Sequence, residues 1–189
     1  MIIYTLKKLI NMEERKELYI ELKDEEWEYK GVTHDRDVVR AIVFDDEGYL
    51  YFVRAVRNDE FGEATLIETS GGGVEKGEDL VPAVKRELKE ELGADVDVVC
   101  KIGVVSDYYN LISRHNVNNY YLCRVKDFGN KNLTEDEVER YHLSTLKLTY
   151  DEAIAEYEKR RDSRLGRLIG NRETPIVTEA KRILGDKLK

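Results

Sequence analysis

Residues 71–94 read GGGVEKGEDLVPAVKRELKEELGA, and this stretch decides how the rest of the chain is read. Pro82 lacks an amide hydrogen and suits only the first turn of a helix, so a helix starts near Leu80. Gly93 suits the left-handed residue that closes a helix. Between them Val81, Val84, Leu88 and Leu92 form an apolar stripe at helical spacing. At about 100° per residue, Glu87, Glu90 and Glu91 fall on an adjoining face. They sit where acids are least welcome. A helix C-terminus carries partial negative charge, and Glu87 and Glu91 are a like-charged i,i+4 pair. Lys85, Arg86 and Lys89 offset part of this; a bound divalent cation would offset more.

Working outward, residues 37–57, DVVRAIVFDDEGYLYFVRAVR, place two β-branched and aromatic runs around DDEG, a β-hairpin with Gly48 in its turn. ATLIETS leads as a short strand into the glycine loop. LYIEL, WEYKGV, DVDVVCKIGVVSDYY and NNYYLCRVKDF are further strand candidates. Thr134 with Glu137 and Thr149 with Glu152 have capping-box spacing. The second pair opens a helix, whereas the first suits either a helix or a loop before a short strand. Thr174 and Pro175 are read as the cap and start of a last amphipathic helix. The basic run of Arg160, Arg161, Arg164, Arg167 and Arg172 before it reads first as a solvated linker face, with a phosphate contact as the alternative. Strands and helices mix without strict alternation, which argues for a mixed α/β, or α+β, sandwich.

The chain has 189 residues, enough for one domain with an extension and a substantial core. Its net charge of −8 argues against duplex nucleic acid as a partner. No apolar run reaches the roughly 18 residues of a membrane span, and the N-terminus makes a poor signal peptide. A cytoplasmic protein without a membrane partner is expected, with Cys100 and Cys123 as buried thiols. His34, His115 and His142 fit no metal-ligand spacing.

From Gly72 the opening stretch fits G-x5-E-x7-R-E-U-x-E-E-x-G-U, where U is a bulky apolar residue. Gly72, Glu78, Arg86, Glu87, Glu90, Glu91 and Gly93 fill the fixed positions and Leu88 the first U. At background frequencies of roughly 7–12%, chance gives such a match in about one window in ten million. The stretch resembles the signature of the Nudix hydrolases, and a looser resemblance covers residues 38–157. Ala94 is smaller than the usual final aliphatic, and Thr69 and Ser70 stand where family members commonly carry a proline.

The resemblance implies a Nudix-type α/β/α sandwich with a mixed sheet in residues 38–189, preceded by an extension, residues 1–37, that packs strands on the core or on a partner in a homodimer. It implies Mg²⁺, or Mn²⁺, held by Glu87, Glu90, Glu91 and the Gly72 carbonyl. Such all-oxygen sites suit hard cations. Arg86 would orient the glutamates, with Glu78 in a similar structural role. Catalysis is assigned to Glu90, Arg86 and, from the downstream loop, Glu137, chosen from Glu135, Asp136, Glu137 and Glu139. Arg40, Arg54, Arg57 and Tyr108 are the candidate substrate contacts, through phosphate and base stacking. The implied activity is hydrolysis of the pyrophosphate in a nucleoside diphosphate linked to another moiety, ADP-ribose or a nucleotide sugar first. The alternatives are triphosphate or dinucleoside polyphosphate cleavage, and a non-catalytic nucleotide sensor.

Overall fold

The structure is a computed structural model and describes residues 15–189. Among these residues eight strands form one mixed sheet. They are β1 (Leu18–Leu22), β2 (His34–Phe44), β3 (Leu50–Asp59), β4 (Gly62–Glu68), β5 (Ser70–Gly73), β6 (Ala94–Tyr109), β7 (Arg114–Phe128) and β8 (Ser144–Leu148). The order is β1-β6-β7-β2-β3-β4, with β5 added to β2 and β8 to β3. Among the described residues three α-helices cover it: α1 (Leu80–Leu92), α2 (Tyr150–Lys159) and α3 (Arg164–Leu184).

Alternation along the strands gives the sheet two apolar faces. Val39, Ala41 and Val43 of β2 pack with Val84, Leu88 and Leu92 of α1. Ile42 and Phe44 pack on the other face with Tyr157 of α2 and Ile169, Ile176 and Ala180 of α3. The result is the expected α/β/α sandwich. β2 and β3 pair only at Val43–Tyr51 and Phe44–Leu50, beside the turn. Beyond that point they diverge: β2 takes β5 at Val38–Ala41, and β3 takes β4 and β8. This split brings the glycine loop beside the middle of the sheet.

The hairpin turn and the bounds of α1 are as the sequence predicts, with Gly48 and Gly93 both at positive φ. Within α1, Val81 is exposed and Ala83 takes the inner position. Residues 27–32, read as a strand, are irregular. Asp24 accepts the amides of Glu26 and Trp27 at 2.8 and 3.2 Å and the Asn110 amide at 2.7 Å, which holds this segment as a turn. Of the predicted N-terminal extension, residues 1–14 lie outside the described residues; β1 runs parallel to β6.

The largest departure is α3, which begins at Arg164 rather than Pro175. Ser163 caps it by accepting the Gly166 amide, and Pro175 sits inside the helix. An interior proline removes one backbone hydrogen bond. Burial of Leu165, Ile169, Ile176, Val177 and Ala180 offsets this. The arginine run is therefore helical in part, and Arg172 is fully buried rather than solvated. Cys100 and Cys123 are buried thiols, and no described helix is long and apolar enough to cross a membrane.

Candidate active site

Arg86 organises the acidic end of α1. Its Nε and Nη2 donate to both oxygens of Glu78, at 3.0 and 2.9 Å. Nη1 donates to Glu87 at 2.8 Å and Glu90 at 3.2 Å. Nη2 also donates to the Gly73 carbonyl at 3.2 Å, which ties loop to helix. Glu91 turns inward: its Oε2 accepts the Ser70 hydroxyl at 2.6 Å and the Gly71 amide at 2.9 Å. Ser70, in place of a proline, therefore supplies a donor.

The glycines are required by close approach. Gly71 has φ +148° and a Cβ there would lie 2.0 Å from the Val39 carbonyl oxygen. A Cβ on Gly72 would lie 2.5 Å from the Glu87 carboxylate.

These acids are electrostatically uneasy. Burial pushes the Glu87 carboxyl up, Arg86 opposes this, and Glu90 and Glu137 push it further up. Burial raises Glu91 to about 7 against the Ser70 and Gly71 hydrogen bonds. Arg86, donating to Glu78 and Glu87, is held well above its ordinary value. Among the described residues no group of three acids, histidines or cysteines already converges as a cation site, because Arg86 occupies Glu87 and Glu90 while Glu91 serves the loop. The donor set nonetheless fits a hard divalent ion. It is all oxygen and clustered, and burial raises the carboxyls of Glu87 and Glu91, as a site awaiting positive charge would show.

Glu137 is close enough to Glu87 to raise its pKa. Its loop docks on the end of α1, where the Asn132 amide donates to the Glu90 carbonyl at 2.9 Å. Glu137 and Thr134 exchange the predicted capping-box bonds, at 2.7 and 3.3 Å, around a single wide turn, Asp136–Arg140.

The four candidate substrate contacts do not meet in one place. Arg40 and Arg57 line a cavity beneath the glycine loop, together with Arg36, Arg114 and Arg172. Arg40 is held there by Asn118, the Thr69 carbonyl and Glu68; Arg57 pairs with Asp59 at 2.6 Å. Tyr108 instead meets Tyr29 edge to face in the wall of a separate recess of about 540 Å³ and stacks on His115. Arg54, opposite Ile67 and Ser144, lines neither.

Sequence reading missed Arg36, Arg114 and the buried group around Arg172, which bonds Glu68, Asp107, Tyr109 and Glu173. Arg36 was accessible, because it shares a face with Arg40 at strand period. Arg172 stands in the basic run, but its burial has no local signal, because Pro175 suggests that the last helix starts after it.

A family model described as the NUDIX domain matches residues 34–165. Among solved structures, the chain is similar to a NUDIX hydrolase from Nitrosomonas europaea, with 18% identity and a TM-score of 0.55. That match covers 67% of this chain and 80% of the other. It is also similar to a MutT NUDIX hydrolase from Burkholderia pseudomallei, at 24% identity and TM-score 0.51, over 62% of this chain and 85% of that one. At these identities the two structures speak for the fold. No curated protein matches the sequence.

Proposed function

The chain belongs to the NUDIX family and is a pyrophosphohydrolase, and from that premise we propose that it is a Mg²⁺-dependent hydrolase of ADP-ribose or a related nucleotide sugar. The observation that carries this reading is the Arg86 hub, which fixes Glu78, Glu87 and Glu90 against the Gly72–Gly73 loop. Glu87, Glu90, Glu91 and the Gly72 carbonyl would hold the ion, and Mn²⁺ would fit the same oxygens. When bound, the ion shields the diphosphate and acidifies water.

The chain's own residues do the rest. Arg86 keeps the carboxylates in register, and its bond to Gly73 keeps the loop at their side. Glu137, on the loop docked beside Glu87, takes the proton of the attacking water. The Tyr108 recess, at about 540 Å³, lies in the size range of ligand pockets and offers ring faces to a nucleobase. Water adds across one P–O–P bond, and two monophosphates leave.

The test is a panel of ADP-ribose, nucleotide sugars, NADH, dinucleoside polyphosphates and nucleoside triphosphates, each with Mg²⁺. ADP-ribose or a nucleotide sugar should give the highest kcat/KM. Preference for triphosphates or dinucleoside polyphosphates would overturn the substrate. Tight ADP-ribose binding with no cleavage of any compound would indicate a sensor instead.

A further inference from the structure

We propose that the cavity under the glycine loop is a subsite for a single phosphate group, gripped by Arg36 and Arg114. The cavity measures about 90 Å³. That is far below the roughly 300–1,000 Å³ of pockets that enclose a drug-sized ligand, so it admits one small group and not a nucleoside.

Its charge identifies the group. Three of its five arginines are already matched. Arg40 and Arg172 share Glu68, Arg172 also bonds Asp107 and Glu173, and Arg57 bonds Asp59. Arg36 and Arg114 are not. Among the described residues neither side chain has a hydrogen bond or an ion pair, and the Nε of each is buried without a partner. They stand on adjacent parallel strands, where His34 is opposite Arg114 and Arg36 opposite Asn116, so both point to one face. Burial, then the charges of Arg114 and Arg40, push the Arg36 guanidinium down, and Glu87 and Tyr109 only partly oppose this. Two like charges held together in a partly buried site favour an anion between them. The planar guanidinium fork matches phosphate oxygens.

Its position identifies the source. Arg36 Nη2 lies 3.6 Å from where a Cβ on Gly73 would stand, and Gly72 is the residue in contact with Glu87. Arg36, in the cavity wall, therefore stands across the loop from Glu87, near enough to feel its charge. A diphosphate with one phosphorus at the carboxylates has its neighbour within reach of Arg36. Ile169 and Arg172 of α3 form part of the wall, and both lie beyond residue 165, where the family match ends. The subsite is thus a feature of this chain's own C-terminal helix as well as of the shared domain. Only the naming of the anion as a substrate phosphate rests on the pyrophosphohydrolase reading.

The experiment titrates orthophosphate onto the full-length protein in EDTA, followed by calorimetry or ³¹P NMR, so that neither metal nor turnover enters. Saturable binding at one site is expected. Arg36→Gln and Arg114→Gln should each weaken it at least tenfold, Arg36→Lys should recover part of the loss, and Arg124→Gln, which removes an equal charge elsewhere, should change nothing. In turnover assays both glutamine variants should raise KM at least tenfold, while Mn²⁺ affinity stays constant. If a glutamine variant fails to fold, the lysine variant and the wild-type titration still decide. No saturable phosphate binding in the wild type, or equal binding in both glutamine variants, would overturn the subsite. Intact phosphate binding with no turnover of any substrate would overturn the enzymatic reading and leave the subsite standing.

Discussion

The acidic end of α1 and the arginine cavity flank the same glycine loop and were assembled in opposite ways. The glutamates come from one short run, residues 78–91, and are organised by one arginine within it. The arginines come from β2, β3, β7 and α3, with residues 36 and 172 at the extremes. Each cluster holds charge that its own partners do not fully balance. Burial raises the carboxyls of Glu87 and Glu91, and in the cavity the side chains of Arg36 and Arg114 have no hydrogen bond or ion pair among the described residues. A magnesium diphosphate carries both missing signs. The contrast teaches that a site can be half local and half topological, and that the two halves fail differently when broken.

The largest expected effect is on the topological half. Arg172→Met leaves Asp107, Glu68 and the fully buried Glu173 without their shared cation. Removing one partner of a buried pair costs about 3–5 kcal/mol, so urea unfolding should show a loss of that size. A loss under about 1 kcal/mol would mean that the cavity does not depend on α3. Next, Glu90→Gln should lower kcat roughly a hundred- to thousandfold with an unchanged unfolding midpoint, since Glu90 is partly exposed. An unchanged rate would remove Glu90 from the site.

Smaller still is Gly72→Ala. The new methyl meets the Glu87 carboxylate, and displacing it should reduce kcat roughly ten- to a hundredfold, with Mn²⁺ affinity falling in parallel. Equal activity would show that Glu87 moves aside freely. The smallest concerns pH. Burial would raise the Glu68 carboxyl, but Arg40, Arg172 and Arg57 outweigh it and hold it below its ordinary value. Because the folded value is the depressed one, this stabilisation is complete above the unfolded carboxyl pKa, about 4.3. It is lost as pH falls through the folded value. Denaturation midpoints measured from pH 7 to pH 3 should fall less steeply for Glu68→Gln than for the wild type; parallel curves would detach Glu68 from the network.

How much was legible follows from the same contrast. The helix 80–92, its two ends, the hairpin around Gly48 and the acidic triad are set by neighbours in sequence, so proline, glycine and periodicity reveal them. The last helix starts at Arg164 and not at Pro175, because packing along α3 outweighs the local rule against an interior proline. Arg172 was read as a solvated residue for the same reason. Arg40 and Arg57 stand out in the sequence, but not the pair whose side chains lack a hydrogen bond or ion pair among the described residues.

By itself the sequence determined the acid-bearing helix, the glycine loop that it needs and the hydrolase family, because these depend on bonds and spacings within a few turns of chain. Only the tertiary structure decided which arginines are neutralised and which remain exposed to a ligand. That depends on which strand lies beside which, and on a C-terminal helix whose burial, not its local propensity, sets where it begins.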